Sequence, residues 1–321
     1  MQATSGMIPW FAGGHADPWN HVEAAMALTA AGRRDAADAA YGWLAATQLD
    51  DGSWPASFAS DGTVEDPRRD TNVTAYVATG VRHHHLATGD DRFLRSMWPT
   101  VDSALSWVLR WQQPGGELAW SVSPRDELVP ATDPGAGRVA VALLAASSSV
   151  CTSLRAGIAC AATLGLRRPA WRHALERLRD AIATRPDAFA PKEEFAMDWY
   201  YPVLGGALDG ASAARRIERG WPIWVVAGKG VRCRSDGNWV TTAETAELAI
   251  ACARLGRTDE AARLLGATRA HRCGDGSYLT GVVHPGGDDF PPGEKSTYSA
   301  AAVVLAADML AGSYATTGAL G

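Results

Sequence analysis

The stretch QLDDGSW, from Gln48 to Trp54, follows an Ala-rich helical run, and similar words recur along the chain. A glutamine can bond the orphan groups at a helix end, and a glycine permits a tight reversal of the backbone. An aromatic side chain can pack that reversal against the next helix. The recurrence indicates a repeat whose helices are joined by one kind of turn. The related words are QQPGGELAW from Gln112, RSDGNW from Arg234 and RCGDGSY from Arg272.

Helices of two types alternate between these words. Small residues let helices pack closely, whereas long charged side chains on one face suit an outer shell. We therefore expect an all-α fold, an (α/α)6 toroid of alternating inner and outer helices, with an open solenoid as the alternative. Five outer helices are visible, so one hairpin looks incomplete, and Pro99 is expected to kink or split the second. The inner helices start at Asp17, Asp70, Ser147, Met197, Thr241 and Ser296, and the outer ones at Arg34, Asp91, Pro169, Ala211 and Thr258.

Composition limits the possible partners. The chain has 321 residues, of which 47% are hydrophobic and 20% charged, with a net charge of −5. We expect one domain over residues 1–321, in which residues 1–16 form an N-terminal extension and residues 283–295 a possible lid loop. No basic block is present, so nucleic acid is not an expected partner. No apolar run is long enough for a transmembrane segment, and the N-terminus lacks signal-peptide features, so a cytoplasmic location is expected.

The five cysteines give little sign of a metal site. They include no CxxC pair, and three lie in Ala-rich helical runs. Cys233 and Cys273 lie near glycine turns, with His271 beside the second, but this spacing matches no standard zinc pattern. We expect no cofactor, and a metal is conceivable but unsupported.

Inner helices of an alternating toroid run in the same direction, so their N-termini collect at one mouth. Asp198 precedes the aromatic run WYYP, where desolvation would raise its pKa and suit it to be a general acid. Glu244 and Glu247 are spaced i, i+3 on an otherwise apolar helix. Burying their charges costs free energy unless they are paired or protonated. These three are the candidate catalytic residues.

The expected mouth is rich in polar and aromatic residues. Asp17 and Asp70 are also good N-caps, which alone could explain them. Aromatic side chains can stack against sugar faces or stabilise a carbocation, and composition does not separate these uses. The candidate substrate-binding residues are Asp17, Trp19, Asn20, His21, Glu23, Trp54, Asp70, Asn72, Trp199, Tyr200, Tyr201, Trp239, Thr242, Tyr278, Glu294 and Tyr298.

QLDDGSW resembles the Gln-Trp repeat word of terpenoid cyclases and of protein prenyltransferase β subunits, through Gln48, Gly52 and Trp54. QQPGGELAW matches more loosely through Gln113, Gly116 and Trp120. The words MDWYYPVLGGAL and WVTTAETAEL resemble bacterial proteins described as prenyltransferase-like. This resemblance implies the toroid and, less specifically, isoprenoid chemistry. The Asp-x-Asp-Asp word of the cyclases and the Asp-x-Cys word of the prenyltransferases are absent, so neither catalytic apparatus carries over.

A second resemblance concerns residues 87–116, which are similar to an outer-helix segment of glucoamylase-like, six-hairpin glycosidases. It implies two carboxylates at the mouth, for which Asp198 and Glu244 are the natural pair. The leading interpretation is a prenyltransferase-like or terpenoid cyclase-like enzyme, a transferase or cyclase acting on an isoprenoid by acid-initiated or carbocation chemistry. The alternatives are a carbohydrate-active enzyme with paired carboxylates, acting on a sugar, and a non-catalytic toroid that binds a ligand or a protein.

Overall fold

The computed structural model describes residues 1–123 and 141–321, and its helices form two concentric rings. The last inner helix packs against the first, so the ring is closed. This confirms the predicted (α/α)6 toroid and excludes the open solenoid. The inner ring contains α1 (Pro18–Ala30), α3 (Thr71–Ala75) with α4 (Val77–Thr88), α6 (Leu144–Thr163), α8 (Ala196–Leu204), α10 (Thr242–Arg254) and α12 (Thr297–Leu310). The outer ring contains α2 (Arg34–Thr47), α5 (Asp91–Leu109), α7 (Pro169–Thr184), α9 (Gly210–Trp224) and α11 (Thr258–Ala267).

The two rings differ in burial as their compositions predict. Every residue of α10 from Thr242 to Cys252 is buried, because the helix is enclosed by its neighbours on all sides. By contrast, α5 buries Leu94, Val101 and Leu105 on one face and exposes charged residues on the other. Pro99 lies on the exposed face, so α5 continues through it, since water can solvate the carbonyl that loses its bond.

Two helix starts differ from expectation. Helix α6 begins at Leu144, so Ser147 lies inside the helix and does not cap it. The second inner helix is divided at Tyr76 into α3 and α4. Asp17 and Ser296 do cap α1 and α12, accepting from the N–H groups of Asn20 and Ser299.

The place of a sixth outer helix is filled differently. After α12 the chain bends by 110° into α13 (Tyr314–Leu320), which packs against α4, α6 and α10 and closes the base of the toroid. The N-terminal segment joins the last inner helix to the first hairpin. The N–H of Ile8 donates to His21 Nδ1 at 3.0 Å, and the N–H of Thr297 donates to the Trp10 carbonyl at 2.7 Å.

Short antiparallel strands hold the loops that lead into the inner helices. The pair β3–β4 ends at α3, and the strand β7 ends at α10, so the first residues of both helices have fixed positions. The pairs are β1 (Ser57–Phe58) with β2 (Val64–Asp66) and β3 (Arg69–Asp70) with β4 (Ser121–Val122). A four-stranded sheet has the order β5 (Val225–Val226), β6 (Gly230–Arg232), β7 (Trp239–Thr241) and β8 (Gly281–Val283).

The glutamine of the repeated word joins neighbouring outer helices. Gln48 Nε2 donates to the carbonyls of Gly52 at 2.8 Å and of Thr100, in α5, at 3.0 Å. Gln112 Nε2 donates in the same way to Gly116 at 2.9 Å and to Ala174, in α7, at 2.8 Å. Gln112, and not Gln113, is therefore the counterpart of Gln48.

The structure also corrects the interpretation of the other repeated sequence words. Counting from Gln112, the position of Trp54 is taken by Leu118, not by Trp120, and both Trp54 and Leu118 are buried. RCGDGSY forms the same turn as QLDDGSW, with Gly276 at positive φ like Gly52. RSDGNW is different, because it forms the connection between β6 and β7.

In the described part of the chain, no single helix is long and apolar enough to span a membrane. Among the described helices, α12 and α13 are the one pair whose combined length and apolarity meet this criterion, and the chain bends by 110° between them.

Candidate active site

The mouth of the toroid holds a cavity of about 220 Å³, which we name the aromatic lobe. Its walls come from the first two turns of five inner helices and from the N-terminal segment. Polar groups are contributed by α1 and α3, and mostly apolar groups by α6 and α8. The lining residues are Trp10, Asp17, Trp19, Asn20, Asn72, Val73, Ala145, Ala146, Ser149, Met197, Tyr201 and Tyr298.

A second cavity of about 310 Å³, which we name the polar lobe, adjoins the first. The two lobes share Asp17 and Val73, so they lie side by side at the mouth, and we refer to the pair as the cleft. Within the polar lobe Arg68 forms an ion pair with Asp66 at 2.6 Å. The lining residues are His15, Asp17, Ala56, Ser57, Glu65, Asp66, Arg68, Asp70 and Val73.

Below the aromatic lobe, a small cavity of about 20 Å³ separates two buried glutamates, Glu23 and Glu247. Glu247 accepts hydrogen bonds from the hydroxyls of Tyr201 at 2.8 Å, Tyr298 at 2.6 Å and Tyr200. Burial raises the pKa of Glu247, and the three hydroxyl donors oppose that shift. Three donors onto two oxygens favour the ionised carboxylate, so we interpret Glu247 as a support for the tyrosines and not as an acid.

Glu23 has the opposite environment. It accepts one hydrogen bond, from Tyr76 at 2.5 Å, and lies in the same interior as Glu247. Burial raises the pKa of Glu23 to about 8, the Tyr76 hydroxyl lowers it, and the charge of Glu247 raises it further. Glu23 is therefore protonated at neutral pH.

Asp17 and Asp70 both precede an inner helix, but only Asp17 caps one. Both oxygens of Asp17 are occupied by Asn20, Oδ1 by its N–H at 2.9 Å and Oδ2 by its side-chain amide. Burial raises the pKa of Asp17, and the bonds from Asn20 oppose the shift.

Asp70 makes no capping bond to α3, although it occupies the N-cap position. The residue is 9% exposed, and among the described residues Oδ1 has no hydrogen-bond partner. Burial raises its pKa, with smaller and opposing contributions from Ser121 and Arg68. The β3–β4 pair places Asp70 opposite Ser121 and holds its backbone rigidly at the wall of the polar lobe.

Asp198 and Glu244 lie beside the cleft but do not line either lobe. Asp198 Oδ1 accepts from the N–H of Ala145 at 3.2 Å, and burial raises its pKa to about 6. It therefore caps the start of α6. Glu244 accepts from the Thr241 hydroxyl, and burial raises its pKa to about 7, with a further rise from the charge of Glu247.

Glu294, in the loop at residues 283–295, does not line either lobe, but it binds Trp10, which lines the aromatic lobe. Its Oε1 accepts from Trp10 Nε1 at 3.2 Å and from the Thr280 hydroxyl at 2.7 Å. Both donors bind the same oxygen, which leaves Oε2 for a water or a sugar hydroxyl. The lid function of this loop stays a prediction.

Several candidate substrate-binding residues serve the scaffold. His21 binds the Ile8 N–H and the Ala40 carbonyl, and burial lowers its pKa to about 4. Trp54 Nε1 donates to the Leu44 carbonyl at 3.1 Å, and Trp199 Nε1 donates to the Arg216 carbonyl at 2.8 Å. Their positions are explained by packing between inner and outer helices, so we do not propose them as sugar contacts.

The remaining candidates are also outside both lobes. Tyr200 is fully buried on Glu247, and Thr242 binds His271 Nδ1 at 2.7 Å. Trp239 Nε1 donates to the Phe290 carbonyl at 2.8 Å, and Tyr278 lines a separate surface depression with Arg269 and Arg272.

Sequence reasoning missed part of the lining. Ala145 and Ala146 were placed before the helix, because three serines suggested a start at Ser147. His15, Glu65 and Arg68 lie in loops, where only the tertiary structure brings them to the polar lobe.

Among the described residues, no group of three or more His, Cys, Asp or Glu side chains is placed to hold a metal ion. The expectation that no cofactor is used stays a prediction.

Solved structures define the class to which this fold belongs. A wild-type glycosidase superposes with a TM-score of 0.74 at 17% identity, over 97% of this chain and 93% of that chain. A cellobiose 2-epimerase from Spirochaeta thermophila superposes with a TM-score of 0.66 at 16% identity, over 93% and 86%. The fold is thus the (α/α)6 toroid found in glycosidases and sugar epimerases.

A relative in sequence identifies the family. The chain is 47% identical over 309 residues, 96% of its length and 82% of the relative's, to the MMP endo-(1,4)-3-O-methyl-alpha-D-mannosidase of Mycolicibacterium hassiacum. The chain belongs to the family of this mannosidase, a family of enzymes. No protein-family model matches it.

These findings correct the leading interpretation from the sequence. The prenyltransferase-like and terpenoid cyclase-like assignment, with its isoprenoid substrate, is wrong, because the family is one of glycosidases. The Gln-Trp word misled because Gln48 and Gln112 join helices, and such a joint serves any chemistry that uses the toroid. The alternative of a carbohydrate-active enzyme is the one supported.

Proposed function

We propose that this protein is a glycoside hydrolase that cleaves internal α-(1→4) bonds in oligosaccharides of 3-O-methyl-mannose. The observation that carries the proposal is the 47% identity to an endo-(1,4)-3-O-methyl-alpha-D-mannosidase, over 96% of the chain. Two adjacent lobes suit an internal bond, because sugar residues on both sides of the bond need a place to bind.

The lining of the cleft supports a sugar as the ligand. Trp19, Tyr201 and Tyr298 offer aromatic surface, and Trp19 is itself held by Tyr76, whose ring stacks on it at 4.6 Å. Carboxylate and amide groups stand beside these rings. Pyranoses present C–H faces and hydroxyl edges, which are the two kinds of surface that this lining complements.

Asp70 is our candidate for the general acid. A general acid must be protonated before the reaction, and burial raises the pKa of Asp70 in that direction. Its buried Oδ1, which has no hydrogen-bond partner among the described residues, is our candidate to donate a proton to the glycosidic oxygen as the bond from that oxygen to the anomeric carbon breaks. Asp17, whose oxygens are both occupied by Asn20, is less available.

Glu294 is our candidate for the second carboxylate. Its Oε1 accepts hydrogen bonds from Trp10 and Thr280, and Oε2 is left to activate a water or to attack the anomeric carbon. Glycosidases whose carboxyl groups are about 5–5.5 Å apart retain the anomeric configuration, and those about 6.5–9.5 Å apart invert it.

The test is incubation of the purified protein with (1→4)-linked 3-O-methyl-α-mannose oligosaccharides of defined length, followed by mass spectrometry of the products. We expect shorter oligosaccharides from internal cleavage, each pair adding one water. Release of no product from these methylated substrates by the folded protein would contradict the proposal.

A further inference from the structure

We propose that the aromatic lobe is a subsite that recognises one 3-O-methylated mannose residue by two different walls. Asn20 and Asn72 accept hydrogen bonds from its free hydroxyls, and Ala145, Ala146 and Met197 receive its methyl ether. This inference rests on the proposed function and assigns its substrate specificity to named residues.

The wall formed by Asn20 and Asn72, which we name the amide wall, has oxygens without a hydrogen-bond donor among the described residues. Asn20 Oδ1 and Asn72 Oδ1 are both buried at the aromatic lobe, and neither has a hydrogen-bond partner among the described residues. The side-chain amide nitrogen of Asn20 donates to Asp17, which fixes the orientation of the group and leaves its oxygen as an acceptor. Buried acceptors are normally satisfied, so these two await donors from a ligand, and free sugar hydroxyls supply them.

The apolar wall has the opposite preference. The side chains of Ala145 and Ala146 on α6 and of Met197 on α8 offer hydrocarbon and a thioether to the cavity. A sugar hydroxyl placed against these side chains would lose water and gain no comparable partner. A methyl ether has no hydrogen to donate and would gain apolar contact, so this wall favours the methylated sugar.

The floor of the aromatic lobe is consistent with one polar and one apolar wall. The hydroxyls of Tyr201 and Tyr298 donate to Glu247 beneath the lobe, at 2.8 and 2.6 Å. Those donors are therefore directed away from the cavity, and the rings form its floor. Trp19 meets Tyr298 edge to face at 5.4 Å and completes an aromatic surface for a C–H face of the sugar.

The test compares a methylated α-(1→4)-mannose oligosaccharide with its unmethylated counterpart. For the wild-type protein we expect kcat/KM at least about 10-fold higher on the methylated substrate, since burying an unpaired hydroxyl corresponds to about a factor of ten or more. Ala146→Ser and Met197→Gln should reduce this ratio at least threefold. Met197→Leu, the matched control, should preserve it, and Asn72→Ala should lower kcat/KM on both substrates by a similar factor.

Two outcomes overturn the inference while leaving the proposed function in place. One is equal hydrolysis of both substrates by the wild type, and the other is an unchanged ratio in both polar variants. Binding of both sugars to the Asp70→Asn variant, measured by calorimetry, tests the lobe when hydrolysis is absent. Preference for the methylated sugar there supports the inference even if the proposed reaction fails, and equal binding overturns it.

Discussion

Buried carboxyl groups around the mouth differ in how their oxygens are occupied. Glu247 accepts hydrogen bonds from three tyrosine hydroxyls, each oxygen of Asp17 accepts one from Asn20, and Asp70 keeps a buried oxygen without a partner among the described residues. Buried carboxyl oxygens normally have a hydrogen-bond partner. This difference from Asp17 and Glu247 is the reason that we propose Asp70 as the acid.

Glu23 gives a prediction about stability and pH. Below about pH 4.5 its carboxyl is protonated in both the folded and unfolded chains, so its contribution is at its maximum. Between there and about pH 8 the unfolded chain releases this proton and the folded protein keeps it, so stability falls as the pH rises. Above that range the loss is complete.

Glu23→Gln keeps a neutral side chain and removes this titration. We expect the free energy of unfolding of the wild type to fall more steeply between pH 5 and 8 than that of the variant, by at most about 1.4 kcal/mol per pH unit. Urea denaturation at several pH values measures both slopes. Parallel slopes would show that Glu23 titrates normally in the folded protein.

At the scale of the elements, the repeated turn has a steric requirement at Gly52. Its φ is +98°, and a Cβ atom there would stand 2.5 Å from the Ser103 carbonyl oxygen. Gly62 has a similar φ of +86° but open space around it. The two glycines therefore separate the conformational effect from the effect of contact with α5.

We expect Gly52→Ala to lower the free energy of unfolding by about 2–4 kcal/mol, because it adds a backbone clash to the conformational strain. Gly62→Ala should lower it by about 1–2 kcal/mol, since only the strain applies. Chemical denaturation of the two variants measures the difference. Equal losses would mean that the turn does not pack against α5 as described.

The helices were the features that the sequence predicted best. Helices of small residues identified the inner ring, and helices with one charged face identified the outer ring. Burial on all sides and burial on one side leave different patterns of residues in the sequence. The start of α6 was misplaced because Ser147 reads as a cap. The position of α13 was missed because a short helix lying across the base has no outer-helix pattern.

The candidate site was less accessible, for a physical reason. Common helix direction was enough to expect Asp17, Asn72 and Tyr298 at one mouth, and the structure does bring them together there. The sequence did not distinguish Asp17 from Asp70. Both look like N-caps, and only tertiary contacts decide which of their oxygens accept hydrogen bonds. The tyrosines that bind Glu247 are 46 or more positions away from it in the sequence. Local sequence patterns therefore do not predict these contacts.

At the scale of the whole molecule, the toroid concentrates function at one end. The first turns of the inner helices converge on the cleft, while α13 covers the opposite end and Leu320 reaches the lower cavity. A sugar chain would therefore enter and leave at the mouth. The family, the two adjacent lobes and the buried Asp70 are the grounds on which we propose acid-assisted cleavage of a glycosidic bond there.

The most direct test of this central claim is the Asp70→Asn variant on two substrates that differ in leaving group. On the methylmannose oligosaccharide, whose leaving oxygen needs a proton, we expect kcat/KM to fall by about 10²–10⁴-fold. On an activated aryl glycoside of the same oligosaccharide, whose leaving group needs no proton, the fall should be less than about tenfold, with Asp198→Asn nearly unchanged on both. Equal losses on both substrates, or full activity of Asp70→Asn on the oligosaccharide, would contradict the assignment of Asp70 as the acid.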